Sequence, residues 1–363
     1  MKLKAILLSL ILIAFSALAS CSPPVKEPQL QEIPFFSSLE FEDGQYAVIL
    51  DIADETILYY VCHDEGSAIY PRSDYIGTWD IDSGEIISMQ EIDARSIPCA
   101  GVLWQDGAYF SLMTDTSSQA GRWKLLCMKG DSLSTLDSGC SRSSSMEHMP
   151  CLTKTVHGVV YSYEDTSVQA AGYGIRRIEK SGKAEELWSR GFGEAPNGSG
   201  PISLFLKGSG EALAFFEEEN GVGQFVLVDG DGDAETIPLY GKLYDFCVLE
   251  NAFIQSCDDG ENNKTVAVSD LKGEQKLLQP VPVRLFRMYG CGGSEFIAVD
   301  EQFNIVMGKV TDGSVELKEL EVPLELTHRA VMPVYSGEST VFLSYMQTAR
   351  NAQDAVLYRL DLV

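Results

Sequence analysis

The first 21 residues hold the side chain with the clearest chemical use in this chain, a cysteine thiol at the end of a secretory signal. Two lysines stand in residues 1–4, residues 5–17 form an uncharged apolar run, and residues 18–20 (Leu-Ala-Ser) precede Cys21. A basic start, an apolar run and small residues before a cleavage point are typical of a signal peptide. The apolar run is too short for a membrane-spanning helix, which needs about 20 residues.

The segment Leu18-Ala19-Ser20-Cys21 resembles the lipobox of bacterial lipoproteins. The resemblance implies that residues 1–20 are a signal peptide cut before Cys21, and that Cys21 carries a diacylglyceryl group on sulfur and an acyl group, such as palmitate, on nitrogen. Two or three acyl chains make a stable anchor. Residues 21–32, rich in proline and polar side chains, then form a flexible tether outside the cytoplasm. A plain membrane helix and a secreted protein with a coincidental cysteine are the alternatives.

Closely spaced carboxylates occur at residues 229–233 (Asp-Gly-Asp-Gly-Asp), a spacing that can wrap a calcium ion. The sixth position of such a loop is Ala234 instead of glycine, and the twelfth is Tyr240 instead of a bidentate glutamate. A polar hairpin turn is therefore the favoured interpretation, and the same holds for residues 258–263. We expect no metal site and no cofactor.

The four histidines form no His-x-His or His-Glu-x-x-His pair, and the chain has no Gly-x-Ser-x-Gly, Ser-x-x-Lys, P-loop or dinucleotide motif. No catalytic residue is therefore predicted. Histidine and arginine side chains that fall in connecting segments remain as candidate ligand-binding residues, because loops on a rigid scaffold carry most binding groups. These candidates are His63, Arg72, His148, His328 and Arg329.

Charge excludes one class of function. The chain has 27 Lys and Arg against 53 Asp and Glu, and removing residues 1–20 takes away two lysines and no acid, so the mature net charge is about −28. Such a surface repels nucleic acid and anionic lipid headgroups. Solubility is the simplest explanation of this charge, and a cationic partner is the alternative.

Eight cysteines remain once Cys21 is set aside. An even number outside the cytosol permits disulfides, but several lie inside apolar runs, such as residues 124–128, where a free thiol acts as a small buried side chain. We expect mainly free thiols. A bridge between Cys140 and Cys151 is the most plausible exception, because the two residues flank a loop.

From about residue 33 the chain consists of short apolar runs of β-branched and aromatic residues separated by Gly, Asp, Asn and Ser, which is strand and turn chemistry. Turn glycines recur at 84, 130, 182, 232, 273 and 313, each between an apolar run and a more polar one. Residues 175–190, broken at Ser181-Gly182, are therefore predicted as a hairpin and not a helix. A period of 40–50 residues with four short strands marks a propeller blade.

The two ends of the chain predict how the ring closes. Residues 355–363 match the strand before a turn, but the chain stops without a fourth strand, whereas residues 34–41 supply an extra strand at the start. Pairing these two segments would cover an exposed edge. We predict an all-β protein in which residues 33–363 form a single β-propeller domain, most simply with seven four-stranded blades; six or eight blades remain open.

The strand and turn at residues 79–84 (Trp-Asp-Ile-Asp-Ser-Gly) resemble a WD40 blade, and the overall rhythm resembles quinoprotein-type bacterial propellers. The resemblance implies the fold, and that His63, Arg72, His148, His328 and Arg329 lie in loops around the central channel. The motifs support no transfer of catalytic residues.

Two classes of function fit these features. The first is a membrane-anchored binding or scaffold lipoprotein whose channel face engages a protein or glycan partner. The second is a surface enzyme, either a glycan hydrolase or lyase or a quinone-type oxidoreductase, with its site at the channel. The anchor, the repeat and the absent catalytic motifs favour the first class.

Overall fold

The computed structural model describes residues 29–63, 72–93, 95–114, 121–145, 148–166, 171–192, 206–219, 222–259, 261, 263–320, 330–336, 340–346 and 355–361. Within these ranges the chain forms seven four-stranded antiparallel sheets, so the predicted β-propeller and the predicted blade number are confirmed. Each sheet is one blade.

The strands of the first three blades follow one another in sequence, and each pairs with the strand before it. They are, in blade 1, β2 (Gln45–Ala53), β3 (Thr56–His63), β4 (Arg72–Asp80) and β5 (Ile86–Glu91); in blade 2, β6 (Ile97–Trp104), β7 (Gly107–Met113), β8 (Arg122–Lys129) and β9 (Ser132–Cys140); and in blade 3, β10 (Leu152–Thr155), β11 (Gly158–Asp165), β12 (Gly172–Ile178) and β13 (Ala184–Gly191).

Blades 4, 5 and 6 repeat the same order, and blade 7 takes its fourth strand from the start of the chain. The strands are, in blade 4, β14 (Leu206–Ser209), β15 (Ala212–Glu219), β16 (Val222–Val228) and β17 (Ala234–Pro238); in blade 5, β18 (Lys242–Val248), β19 (Phe253–Asp258), β20 (Lys264–Ser269) and β21 (Gln275–Pro280); in blade 6, β22 (Leu285–Gly290), β23 (Glu295–Asp300), β24 (Ile305–Val310) and β25 (Val315–Glu319); and in blade 7, β26 (Ala330–Ser336), β27 (Thr340–Met346), β28 (Val356–Asp361) and β1 (Gln29–Ile33).

The predicted turn glycines lie where the third strand of a blade turns into the fourth. Five of them, Gly84, Gly130, Gly182, Gly232 and Gly273, have φ between 51° and 90°. A side chain with a Cβ atom rarely adopts this backbone conformation, which is why glycine recurs there. The hairpin predicted at residues 175–190 is confirmed by the pairing of β12 with β13.

The core of the molecule lies between the blades. Seven separate clusters of buried apolar side chains each join two neighbouring sheets. Between blades 2 and 3, for example, Trp123 packs with Tyr161, and between blades 4 and 5, Phe225 packs with Phe246. Each blade therefore buries both of its faces, and the ring must close for all of them to do so.

The N-terminal segment closes the ring, as predicted, but through a different strand. β1 pairs antiparallel with β28, with Gln29 opposite Asp361 and Ile33 opposite Leu357. The prediction that residues 34–41 form this strand is wrong, because the closing strand is β1 at residues 29–33. Residues 29–32, which were predicted to be part of the tether, belong to β1. The propeller domain therefore begins at residue 29 in the described chain.

Residues 34–41 contain a single helical turn instead of a strand, α1 (Phe35–Ser38). Neighbouring side chains of a strand point to opposite faces, whereas both Phe35 and Phe36 are buried here. The Phe35 ring lies 5.1 Å from that of Tyr59 and 5.5 Å from that of Trp79, centroid to centroid. This turn therefore fills the space between blades 7 and 1.

All eight cysteines from Cys62 to Cys291 are free thiols, so the bridge considered between Cys140 and Cys151 is not formed. Burial raises the pKa of the Cys99 thiol to about 12 and that of the Cys151 thiol to about 11. A thiol with a raised pKa forms little thiolate, so these cysteines act as packing side chains.

Ring closure can be tested by truncation. Deleting residues 22–33 removes β1 and exposes the edge of β28, and we expect it to lower the free energy of unfolding by about 3–5 kcal/mol. Deleting residues 22–28 leaves β1 in place and serves as the matched control. Thermal and urea unfolding of the two variants measure the difference, and equal melting temperatures would contradict closure through β1.

Candidate functional site at the channel axis

The first strand of each blade lines the central axis, and most of these strands are irregular there. The pairing register shifts in β2, β6, β18, β22 and β26. A bulge bends the strand and redirects its side chains and amide groups. Between the blades lies an axial cavity of about 330 Å³. Its lining comes from six blades and includes Asp51, Lys154, Lys207 and Tyr289.

One ion pair on the cavity wall joins three blades. Asp51, from blade 1, is buried, and its Oδ2 atom accepts a 2.7 Å hydrogen bond from the Leu103 amide of blade 2. The same atom lies 3.1 Å from Nζ of Lys154 in blade 3, which also donates to the Leu103 carbonyl at 3.2 Å. Burial raises the pKa of Asp51 above 3.8, and the Lys154 charge opposes this rise.

A second ion pair repeats this arrangement in blades 4 to 6. Nζ of Lys207, from blade 4, lies 2.7 Å from Oδ1 of Asp245 in blade 5 and donates to the Met288 carbonyl of blade 6 at 2.9 Å. The other carboxylate oxygen of Asp245 accepts the Met288 amide at 2.8 Å. The Lys207 ammonium also lies 5.2 Å from the Phe246 ring centroid and 5.3 Å from that of Tyr289.

Both axial pairs therefore tie the backbones of neighbouring blades together. The charges lie mostly out of water, with side-chain exposures of 11% for Asp51 and for Asp245 and 30% and 21% for Lys154 and Lys207. A buried ion pair adds little net stability, but removing one partner leaves the other charge uncompensated. The Asp245 and Lys207 side chains thus fix where blades 4, 5 and 6 meet.

Two of the predicted binding residues lie together at one end of blade 1. The connections between blades and those between second and third strands lie at the same end of the strands, which we call the channel face. His63 ends β3 and lies opposite Arg72, which begins β4, at this face. The His63 ring packs on Gly44, where an added Cβ atom would lie 3.2 Å from Nε2. Among the described residues, Nδ1 of His63 has no hydrogen-bond partner.

His148 is also at the channel face, but it serves a buried carboxylate. Its Nδ1 atom lies 2.9 Å from Oε1 of Glu164, whose side chain is 3% exposed. Arg142 binds the same carboxylate through Nη2 at 2.9 Å and stacks on the Phe192 ring, 4.5 Å from its centroid. Burial alone would raise the pKa of Glu164, but the hydrogen bonds from His148 and Arg142 hold it below its ordinary value. This cluster joins the connection after blade 2 to blade 3.

His328 and Arg329 lie outside the described residues. The structure therefore brings His63 and Arg72 together in blade 1. His148 lies apart from them, in the connection between blades 2 and 3. The binding role of His328 and Arg329 stays a prediction.

Sequence reasoning missed the axial lysines and a second cluster at the channel face, between blades 5 and 6. There the Tyr244 hydroxyl donates to Oδ2 of Asp258, which raises the pKa of Tyr244. Arg284 lies over the Tyr244 ring, 5.2 Å from its centroid, and its Nη1 atom is 2.9 Å from Glu301. For the axial lysines, the sequence offers one signal, a lone lysine inside a short apolar strand, as at Lys154 in residues 152–155. The aspartate that pairs with each lysine is evident only once the blades are arranged in the ring.

The predicted hairpin turn at residues 229–233 is confirmed. Oδ1 of Asp229 accepts hydrogen bonds from the amides of Asp231 and Asp233 at 3.0 and 2.9 Å, so the turn itself uses the carboxylate. Oδ1 of Asp259 binds the amides of Glu261 and Asn263 in the same way. In the described ranges no three His, Cys, Asp or Glu side chains are grouped as a metal site would require. No described helix has the length and apolar content to cross a membrane.

The chain matches no protein-family model and no curated protein sequence. Its similarity to solved structures is one of fold. The propeller domain of the Trilobed protease from Pyrococcus furiosus, described as having an open velcro topology, has a TM-score of 0.55 and 9% identity, over 84% of this chain and 93% of that one. YCF48, solved with a D1 peptide, has a TM-score of 0.52 and 11% identity, over 94% and 98% of the chains.

A prolyl endopeptidase structure has a TM-score of 0.55 and 12% identity and matches 91% of this chain. The chain spans 52% of the length of that enzyme. At these identities the comparisons establish the β-propeller fold and nothing finer.

The role of the axial pairs can be measured with Lys207→Met. This change leaves the buried Asp245 carboxylate without its cation, and we expect it to lower the free energy of unfolding by about 2–4 kcal/mol. Lys276→Met is the matched control, because Lys276 forms an exposed ion pair with Glu274, and its loss should lower the free energy of unfolding much less. Equal losses in urea unfolding would show that the axial pair does not hold the blades.

The Glu164 cluster predicts a dependence of stability on pH. Because the pKa of Glu164 is lowered from 4.5 in the fold, its charge stabilises the protein above that value, and this contribution disappears as the pH falls through the lowered pKa. Glu164→Gln should therefore lose about 1–3 kcal/mol near neutral pH, and the gap to the wild type should narrow in acid. A gap that stays constant in urea unfolding from about pH 7 to about pH 3 would contradict this.

Proposed function

We propose that this chain is an extracytoplasmic binding or scaffold module, held at a bacterial membrane by a lipid on Cys21, whose channel face engages a protein or glycan partner. The observation that supports a scaffold is the use of the axial charges. Lys154, Asp51 and Asp245 each contact the backbone of a neighbouring blade, and Lys207 of blade 4 reaches the Met288 carbonyl of blade 6. The axis is thus built to hold the ring rigid, and a rigid ring presents its loops in a fixed arrangement.

The alternative of a surface enzyme needs titratable groups that face a substrate. In the described part of the channel, the carboxylates of Asp51 and Asp245 instead face amide and ammonium groups of other blades. This arrangement favours binding over catalysis at the axis.

Among the described residues, the cluster around Tyr244 is the best candidate for contact with a partner. The ring is partly exposed at the channel face and is flanked by Arg284 and by Lys242, whose Nζ atom lies 5.9 Å from the ring centroid. An aromatic ring beside cations offers both apolar contact and hydrogen-bond donors, the combination that is enriched at binding surfaces. The propeller fold accommodates a peptide in YCF48, which is consistent with such a use.

The proposal is tested in a bacterial host that expresses the full chain and Cys21→Ala. The wild-type protein should sediment with membranes and incorporate an alkyne-labelled fatty acid, whereas Cys21→Ala should remain an unprocessed precursor or be released without label. A variant that keeps its processed mass, membrane fraction and label would contradict the lipid anchor.

The channel face is tested in the same cells with a photo-crosslinking amino acid at Tyr244. A control places it at Leu278 on the outer strand of the same blade, where the side chain is 46% exposed. Binding at the channel face predicts a discrete crosslinked protein or glycan species from position 244 and none from position 278. Identical products from both positions, or none from position 244, would contradict binding there.

A further inference from the structure

Exposed apolar side chains concentrate on one outer strand. In the described part of the chain, β5 of blade 1 exposes Ile86, Ile87 and Met89 by 47%, 53% and 45%. Its sequence, Ile-Ile-Ser-Met-Gln-Glu, has no charge before its last residue. An apolar edge without charges is a template for pairing with another chain.

The other outer strands follow the protective pattern that β5 lacks. Edges are normally blunted by charged side chains and by proline. The single charge of β5, Glu91, is its last residue, whereas all six of the other strands carry a charged residue before the last position of the strand. They are β1 (Gln-Leu-Gln-Glu-Ile), β13 (Ala-Glu-Glu-Leu-Trp-Ser-Arg-Gly), β17 (Ala-Glu-Thr-Ile-Pro), β21 (Gln-Lys-Leu-Leu-Gln-Pro), β25 (Val-Glu-Leu-Lys-Glu) and β9 (Ser-Leu-Ser-Thr-Leu-Asp-Ser-Gly-Cys).

The backbone of β5 has hydrogen-bonding groups to offer at this edge. The Ile92 amide donates to the Asp74 carbonyl, and the register places Gln90 opposite Ile76. Because antiparallel ladders alternate between bonded and non-bonded residue pairs, the amide and carbonyl groups of Met89 and Glu91 point away from β4. A bulge at Ile87 ends the regular part of the edge, so the strand can pair from about Ser88 onward.

A groove lined by both apolar and polar side chains continues the end of this edge toward blade 2. It encloses about 600 Å³, and its lining includes Ile92 of blade 1 and Leu112, Leu126 and Leu133 of blade 2. Leu133, on β9, is itself 42% exposed. A strand added to β5 would therefore also place side chains against blade 2.

Charge indicates what kind of segment fits. Exposed carboxylates stand at both ends of β5, with Asp82 and Glu85 before it and Glu91 and Asp93 at its end. Arg122 and Lys124 on the opposite wall of the groove offset only part of this charge. The mature chain has a net charge of about −28, so a second copy would be repelled, whereas a segment with basic ends would be attracted.

We propose that β5 is a docking edge for an extended segment of another polypeptide, with alternating β-branched residues at its centre and lysine or arginine at both ends, which adds to blade 1 as a fifth strand. Main-chain hydrogen bonds to Met89 and Glu91 supply the pairing, and the groove against blade 2 receives the side chains. This surface meets the channel face only where the groove reaches Asp93 and Thr114, and it does not include the Tyr244 cluster, so it stands or falls separately from the binding site proposed above.

The test uses the purified mature chain and fluorescein-labelled synthetic peptides of sequence Lys-Lys-Val-Thr-Val-Thr-Val-Lys-Lys, with fluorescence anisotropy as the measurement. We expect saturable binding to the wild type that weakens at least about tenfold in Met89→Lys. Leu278→Lys is the matched control, because Leu278 is equally exposed on the outer strand of blade 5, and it should change binding less than about twofold. Thermal unfolding confirms that both variants are folded.

Two further peptides separate strand addition from simple charge attraction. A peptide with glutamate in place of every lysine should bind at least about tenfold more weakly. A lysine peptide with alternate backbone amides N-methylated keeps its charge but loses donors along one edge, and it should also bind at least about tenfold more weakly. No binding of the original peptide to the wild type, equal loss in both protein variants, or full binding of the methylated peptide would overturn the proposal. So would self-association of the wild type that Met89→Lys abolishes in sedimentation.

Discussion

Face-to-face packing between neighbouring blades is the interaction on which this structure depends. A four-stranded sheet of this kind has two apolar faces and cannot bury them alone, and the seven apolar clusters show each sheet sharing its faces with the blade before and after it. Only a closed ring gives every blade two partners. The pairing of β1 with β28 and the contact of Phe35 with Trp79 provide that closure. Arg359 adds an ion pair from blade 7 to Glu55 of blade 1, at 2.8 Å.

Closure creates an axis where the first strands converge, and the polar groups found there serve the ring. The axial pairs of Asp51 with Lys154 and of Asp245 with Lys207 each reach three consecutive blades. The bulge in β22 includes Met288, whose amide donates to Asp245, so that irregular backbone and buried charge satisfy one another there. The Glu164 cluster performs a similar task nearer the channel face, where a carboxylate that is 3% exposed binds Arg142 and His148. In these three clusters, buried charge holds blades together.

The outer surface differs from blade to blade although the fold repeats. The other six outer strands carry a charged residue before their last position, whereas β5 carries its single charge, Glu91, at its end. In a repeating fold every blade needs apolar side chains on the faces that pack against its neighbours, whereas its outer edge packs against no other blade. The edge is thus free to differ in sequence, and the run of exposed apolar residues on β5 beside the groove of blade 2 is a departure that the fold itself does not require.

The sequence by itself determined the parts of this protein that depend on local pattern. Alternating apolar runs and the recurrent turn glycines such as Gly84 predicted strands, hairpins and the blade rhythm, because positive φ and sheet periodicity are local demands. The count of strands predicted closure by the N-terminal segment. The tertiary structure decided the rest. The closing strand lies at residues 29–33 and Phe35 is buried between blades 7 and 1. Both positions depend on the shape of the space between these two blades, which the sequence does not show. The tertiary structure also paired Lys207 with Asp245, two residues that become neighbours only when blades 4 and 5 meet at the axis.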